Sequence, residues 1–275
     1  MRRCIVGVVA AAALVAAAPA AGDGGPGPGI MQGWDGVVWG KNRVVTVPTA
    51  GWTSLQVIQR RGGRVLAFTN IRGSWGIPLV AFDGTKAALQ ADGRTLLLAT
   101  QPYLASSATT SFALFDLRKM RIKKRIDLKG SFSFDALSPD RRYLYLVEHT
   151  SQANINQYRV RAYDLATDKL LARIVSDRRS WETTMVGQPI SRASRSGWAY
   201  TLYGGVGRPF IHALDTRHVQ AVCIDLPWKS SPQQIYEYRL RWDRDGHLVV
   251  RGRHGRALVT VDGKQLRVLS SVRNP

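Results

Sequence analysis

A repeat of about fifty residues is the feature that most limits how this chain of 275 residues can fold. Short apolar runs end at Asp116 (FALFD), Asp164 (VRAYD), Asp215 (FIHALD) and Asp262 (ALVTVD), at spacings of 48, 51 and 47 residues. A less regular copy, SLQVIQ, ends at Gln59. A chain with this period builds one structural unit several times, because each unit buries its apolar faces only against its neighbours.

One copy, residues 131–176, shows what the unit is. It contains four short apolar runs, SFSFDAL, YLYLVE, VRAYD and LLARIVS, separated by turn signals such as SPDRR. Alternating runs bounded by Pro, Gly, Asp and Asn indicate strands, and four in succession predict an antiparallel meander, the blade of a propeller. Five copies fill the chain. We therefore predict an all-β β-propeller of five four-stranded blades, with a six-bladed ring or an irregular, open ring as alternatives.

A second marker recurs in the same phase as the first. The turn before the second strand is QADGRTLLLAT at 90–100, SPDRRYLYLVE at 138–148 and DRDGHLVVRG at 243–252. These turns, with VRAYDLATDKLLARI, resemble the YVTN and WD-type propeller repeats of secreted bacterial proteins. The resemblance covers most of the chain after about residue 31. It implies the fold and leaves the activity open.

The N-terminus carries an export signal. Arg2 and Arg3 precede the apolar run IVGVVAAAALVAAA, and small residues follow at Ala18 and Ala20, as signal peptidase requires. A retained membrane anchor is the alternative, but a span needs about twenty apolar residues and this run is shorter. We expect a secreted or cell-envelope protein that is monomeric and has no transmembrane span after cleavage. The predicted segments are a signal peptide over 1–21, a Gly/Pro linker over 22–33 and a single β-propeller domain over 34–275.

Arginine dominates the charge of the chain, which has a formal net charge of +20. Turns that join the first to the second strand of a blade, and the third to the fourth, lie at one end of a propeller. Their arginines should form a basic face, which Arg192 would extend. We predict a protein or an anionic cell-envelope polymer as the partner and no nucleic acid, since the chain is exported. The alternative is an arginine-rich composition with no binding role. The basic face comprises Arg60, Arg61, Arg94, Arg118, Arg141 and Arg142.

One aromatic residue lies near the start of each innermost strand. Around a ring, these residues would form a circle near the channel mouth and could act as a ligand-binding platform. The alternative, which regular repetition favours, is that each ring is a wedge packed between neighbouring blades. The predicted platform residues are Trp75, Phe132, Trp181 and Trp228.

Catalytic motifs are missing from the sequence. It has no G-x-S-x-G elbow, phosphate-binding loop or C-x-x-C pair, and Cys223 stands alone after signal cleavage, as a buried thiol. We predict no catalytic residue, no metal site and no cofactor, and therefore a non-catalytic binding scaffold. The alternative is an extracellular hydrolase of the glycosidase type, with Glu148, Glu182 and Glu237 near the channel mouth.

Overall fold

The computed structural model describes residues 28–101, 108–180, 182–204, 207–231 and 233–272. Two short 3-10 helices, Gln234–Glu237 and Arg253–Gly255, interrupt a chain of strands, and neither could cross a membrane. The predicted signal peptide lies outside the described residues. In chain order the strands are β1 (Ile30–Met31), β2 (Gly33–Trp39), β3 (Asn42–Thr49), β4 (Trp52–Gln59), β5 (Val65–Arg72), β6 (Ile77–Pro78), β7 (Thr95–Ala99), β8 (Thr109–Asp116), β9 (Arg121–Lys129), β10 (Ser131–Leu137), β11 (Tyr143–His149), β12 (Gln157–Asp164), β13 (Lys169–Ile174), β14 (Met185–Val186), β15 (Gln188–Arg195), β16 (Trp198–Gly204), β17 (Phe210–Asp215), β18 (Gln220–Asp225), β19 (Arg239–Trp242), β20 (Leu248–Arg251), β21 (Ala257–Asp262) and β22 (Arg267–Ser271).

Consecutive strands pair into antiparallel sheets. The first sheet is β2-β3-β4-β5, the second β7-β8-β9, the third β10-β11-β12-β13 with β14 added to β12, the fourth β15-β16-β17-β18 and the fifth β19-β20-β21-β22. The predicted all-β propeller class is confirmed. Each marker of the repeat, from Gln59 to Asp262, ends the penultimate strand of its sheet. The number of blades and the closure of the ring stay predictions.

The second sheet departs from the four-stranded pattern on its inner side. The strand pairing of residues 76–90 with β7 consists of two isolated bridges, Gly76 with Ala99 and Leu89 with Leu96. β6, within this segment, pairs instead with β1. The predicted linker over 22–33 therefore contributes a strand, and packing begins before residue 34.

In the four repeats that have a marker aspartate, this turn aspartate shapes the turn into the outermost strand. Its Oδ1 accepts hydrogen bonds from the main-chain N–H groups two and three residues later, at 2.8–3.3 Å. Aspartate favours such turns because its short side chain reaches its own backbone. The fourth residue after it then has a left-handed backbone. These residues are Met120, Asp168, Val219 and Leu266, with φ of 48°, 57°, 54° and 55°.

We expect Asp215→Ala to lower the free energy of unfolding by about 2 kcal/mol, because it removes a buried charged acceptor. Asp215 is 4% exposed, and its Oδ2 also lies 2.7 Å from His218 Nδ1. Denaturant unfolding measures the change. Asp225→Ala is the matched control, because Asp225 is exposed at the end of β18, and it should change stability by no more than about 0.5 kcal/mol. Equal losses in the two variants would contradict this role of the turn aspartate.

The core lies between the sheets. One apolar cluster joins the first three sheets, another the third and fourth, and another the fourth and fifth. Among the described residues, none of these clusters spans the first and fifth sheets. The outward face of the first sheet accordingly exposes Val38 (50%) and Phe68 (65%).

Candidate functional site

The two ends of the propeller differ in structure. The turn end carries the short turns β10–β11 and β12–β13 and their counterparts, and the loop end carries the β11–β12, β16–β17 and β20–β21 connections. All six arginines of the basic face are exposed at turns of the turn end. Arg60 and Arg61 belong to the first sheet, Arg94 and Arg118 flank strands of the second, and Arg141–Arg142 belong to the third.

Acidic neighbours neutralise the basic face only in part. Arg141 Nη1 lies 3.2 Å from Asp92 Oδ2, and Arg142 Nε lies 3.8 Å from Asp164 Oδ2. The N–H of Arg94 is the main cause of the lowered pKa of Asp92, so this carboxylate stays charged. The other four arginines have no ion pair within the described residues; they are Arg60, Arg61, Arg94 and Arg118.

Arg192 is not on the basic face, contrary to the sequence prediction. Its side chain is 2% exposed and forms an ion pair with Asp135, which is equally buried. Nη1 also donates to the Asp135 carbonyl at 2.9 Å. Arg192 lies within β15 rather than in the turn that follows, so its side chain joins the fourth sheet to Asp135 in β10 of the third.

Residues 80–85 lie near the axis of the propeller, against the innermost strands of the fourth and fifth sheets. The N–H groups of Phe82 and Asp83 donate to the carbonyls of Pro189 and Ile190 in β15, at 2.8 and 3.0 Å. Asp83 Oδ2 accepts from Ser191 Oγ at 2.6 Å, and Ser191 Oγ accepts from the N–H of Leu240 in β19 at 2.9 Å. The segment thus ties the second repeat to the fourth and fifth sheets.

The structure buries the described rings of the predicted platform. Trp75, Phe132 and Trp228 are 1%, 2% and 4% exposed, and Trp181 lies outside the described residues. Their packing repeats. Thr53 Oγ1 donates to the Gly73 carbonyl and accepts from Trp75 N–H, and Thr110 does the same with Gly130 and Phe132. The three rings are wedges between sheets, as the packing alternative expects, and offer no open face for stacking.

A pocket opens at the loop end, beside residues 80–85. Its apolar wall includes Pro28, Val80, Phe134 and Pro189, and its water-accessible volume is about 50 Å³. The polar lining is Ser133, Asp135, His149, Asn156, Tyr158, Gln188 and Tyr203.

Ser133 and His149 meet in the wall of this pocket. Ser133 Oγ lies 2.9 Å from His149 Nε2. Burial lowers the pKa of His149 to about 4, and the nearby backbone of Ile155 offsets only part of this effect. The imidazole is therefore neutral at neutral pH.

The surroundings of the three candidate carboxylates do not support the hydrolase alternative. Glu148 Oε2 is held by Arg161 Nη1 at 2.7 Å, and Glu182 and Glu237 are exposed.

Cys223 is half-buried, and burial raises the pKa of its thiol to about 12, so the thiol is not a nucleophile at neutral pH. In the β19–β20 turn, ligand atoms of Asp243, Asp245 and His247 lie within 4.8 Å of one another, but Asp243 already accepts from His247 N–H.

Sequence analysis did not identify the residues near the axis of the propeller or the polar residues of the pocket as candidate site residues. Asp83, Asp135 and Ser191 are short polar residues in or beside apolar runs, and no motif marks them. Residues 79–90 show no strand periodicity, which was the available signal that this segment does something other than continue the sheet.

No protein-family model and no curated protein sequence matches the chain. Solved structures similar to it include a functionally unknown protein from Desulfotomaculum acetoxidans, with 13% identity, a TM-score of 0.48, and 85% of this chain and 66% of that one covered. The Dos1 propeller has 13% identity, a TM-score of 0.47 and coverages of 85% and 59%. TolB from Acinetobacter baumannii has 11% identity, a TM-score of 0.43 and coverages of 79% and 50%. The chain thus spans two thirds or less of each, and at these identities the likeness concerns the fold alone.

Proposed function

We propose that this chain is an exported, non-catalytic binding propeller whose basic face takes an anionic polymer of the cell envelope. The observation that supports this function is the set of four exposed arginines at the turn end that have no ion pair with any residue that the structure describes, namely Arg60, Arg61, Arg94 and Arg118. They extend across two neighbouring sheets, and Arg141 and Arg142 continue the face onto a third. Such a spread suits a long anion better than a compact one.

The structure of the turns also supports this proposal. Each turn aspartate binds main-chain N–H groups and so fixes the shape of its turn, while the arginines beside it project into solvent. Electrostatic attraction to a polyanion is screened by salt and releases bound counterions. Binding should therefore weaken steeply as the salt concentration rises.

The test is retention of the purified protein on immobilised heparin, used as a model polyanion, across a salt gradient. We expect retention at low salt, and elution at clearly lower salt when Arg60, Arg61, Arg141 and Arg142 are all changed to Ser. A plot of the logarithm of the affinity against the logarithm of the salt concentration should become less steep by roughly 3 in the variant, because each lost arginine contact lowers the slope by about 0.7–0.9.

The matched control changes four exposed cations of the loop end to Ser and so removes the same charge. It uses Arg208, Lys229, Arg253 and Arg256. Unchanged elution of this control would locate binding at the basic face. Equal losses in both variants, or no retention of the native protein at low salt, would mean that the arginines reflect composition alone.

A further inference from the structure

Buried polar atoms that lack well-formed hydrogen bonds converge on the loop-end pocket. Asp135 Oδ2 has no hydrogen-bond partner in the described part of the chain. His149 Nδ1 and Tyr158 Oη have none of full hydrogen-bond geometry, although the backbone of Ile155 lies beside His149 and the hydroxyl of Tyr203 lies beside Tyr158. Asp135 and Tyr158 are each 2% exposed, and all three residues line the pocket. Buried polar atoms are nearly always paired. The unpaired Asp135 Oδ2, with two incompletely paired groups beside it, therefore favours a bound molecule that pairs with them.

The size of the pocket limits what can enter it. One water needs roughly 10–15 Å³ of accessible space, and the pocket has about 50 Å³. It therefore accommodates a group of a few non-hydrogen atoms, and the rest of a larger ligand would lie outside.

An apolar rim surrounds the mouth of the pocket. Phe82, Ile155, Val186 and Tyr236 are 45%, 40%, 38% and 43% exposed. Phe82 and Tyr236 meet edge to face, with ring centroids 6.1 Å apart. Val186 and Tyr236 line an adjoining groove that shares Asn156, Gly187 and Gln188 with the pocket. Exposed apolar residues gathered around a polar pocket favour a ligand with an apolar body.

The charges around the pocket select a neutral head group. The Asp135 carboxylate is already paired with Arg192, and His149 is neutral. A charged head group would lose its hydration without finding an opposite charge. Asp135 Oδ2 can only accept a hydrogen bond, whereas Tyr158 Oη can donate one. A hydroxyl satisfies both, because it donates and accepts.

We propose that the loop-end pocket binds a small neutral ligand whose hydroxyl reaches Asp135 and Tyr158 and whose ring or short chain lies against the apolar rim. This site is at the opposite end from the basic face and does not depend on it.

The test compares three probes of the same ring size, namely phenol, toluene and benzoate, by ligand-observed NMR and calorimetry. Cyclohexanol serves as a second hydroxyl probe. We expect saturable binding of phenol or cyclohexanol, with toluene and benzoate at least about tenfold weaker, because a site built for a hydroxyl rejects analogues that lack it. No binding of either alcohol, or equal binding of phenol and toluene, would overturn the proposal.

Variants locate the binding. Tyr158→Phe should weaken phenol binding at least about fivefold by removing a donor. Ile155→Trp should block the mouth, and because Ile155 is exposed the fold should tolerate this change. Tyr163→Phe is the matched control, because its hydroxyl bonds Asp168 at the turn end, and it should bind phenol as the native protein does. Unchanged phenol binding in both Tyr158→Phe and Ile155→Trp would place the probe elsewhere and refute the site.

Discussion

Changing Arg192 to Met should lower the free energy of unfolding by about 3–5 kcal/mol, the largest effect we expect from a single substitution. The guanidinium and the Asp135 carboxylate are each 2% exposed. Removing the cation leaves a buried carboxylate without an opposite charge. Denaturant unfolding, followed by circular dichroism, measures the loss.

A double-mutant cycle separates the ion pair from general packing. Asp135→Leu should also lower the free energy of unfolding. The double variant with Arg192→Met should lose at least about 2 kcal/mol less than the sum of the two single-variant losses, because no charge is then left unpaired. Arg141→Met is the control, since that guanidinium pairs with Asp92 at the exposed turn end, and such pairs contribute at most about 1 kcal/mol. Additive losses in the cycle would show that the two charges do not stabilise each other.

Acidification from pH 7 to pH 4 should remove about 3 kcal/mol of stability through His212 alone. This side chain is 1% exposed, and burial lowers its pKa from 6.5 to about 4. In the unfolded chain the imidazole takes a proton below about pH 6.5, whereas in the folded protein it stays neutral down to about pH 4. The unfolded state therefore binds more protons in this window, and stability falls as the pH falls. His149 acts in the same direction.

The variant His212→Phe, which keeps a ring against Tyr203, should flatten this part of the pH profile. His254→Gln is the control, because His254 is exposed. The measurement is the free energy of unfolding of the native protein and of both variants, at pH 7 and at pH 4.5. Three of the turn aspartates, Asp116, Asp215 and Asp262, have lowered pKa values. They act in a separate window, because a lowered carboxyl pKa causes a loss of stability only when the pH falls below about 4. A profile between pH 7 and 4.5 that is equally steep with and without His212 would rule out this explanation.

Much of the fold was predictable because its signals are local. A strand is visible in the alternation of β12, where Tyr158, Val160 and Ala162 are buried. A turn is visible in the aspartate that binds its own backbone. The site was less predictable, because it depends on where strands from different repeats meet. Arg192 has the sequence context of a turn arginine, and only its position at the axis makes it a buried partner of Asp135. Trp75 and Phe132 showed that the same regular spacing suits a wedge as well as a platform.

The bonds from residues 80–85 to β15 also have a consequence for synthesis of the chain. In an array of repeats, each unit is ordinarily completed by its immediate neighbour, and folding can follow the ribosome unit by unit. Here the N–H groups of Phe82 and Asp83 find their acceptors in Pro189 and Ile190, which are translated more than a hundred residues later. A nascent chain that has finished three sheets therefore lacks the acceptors for residues 80–85, and these hydrogen bonds form only after the fourth sheet has emerged.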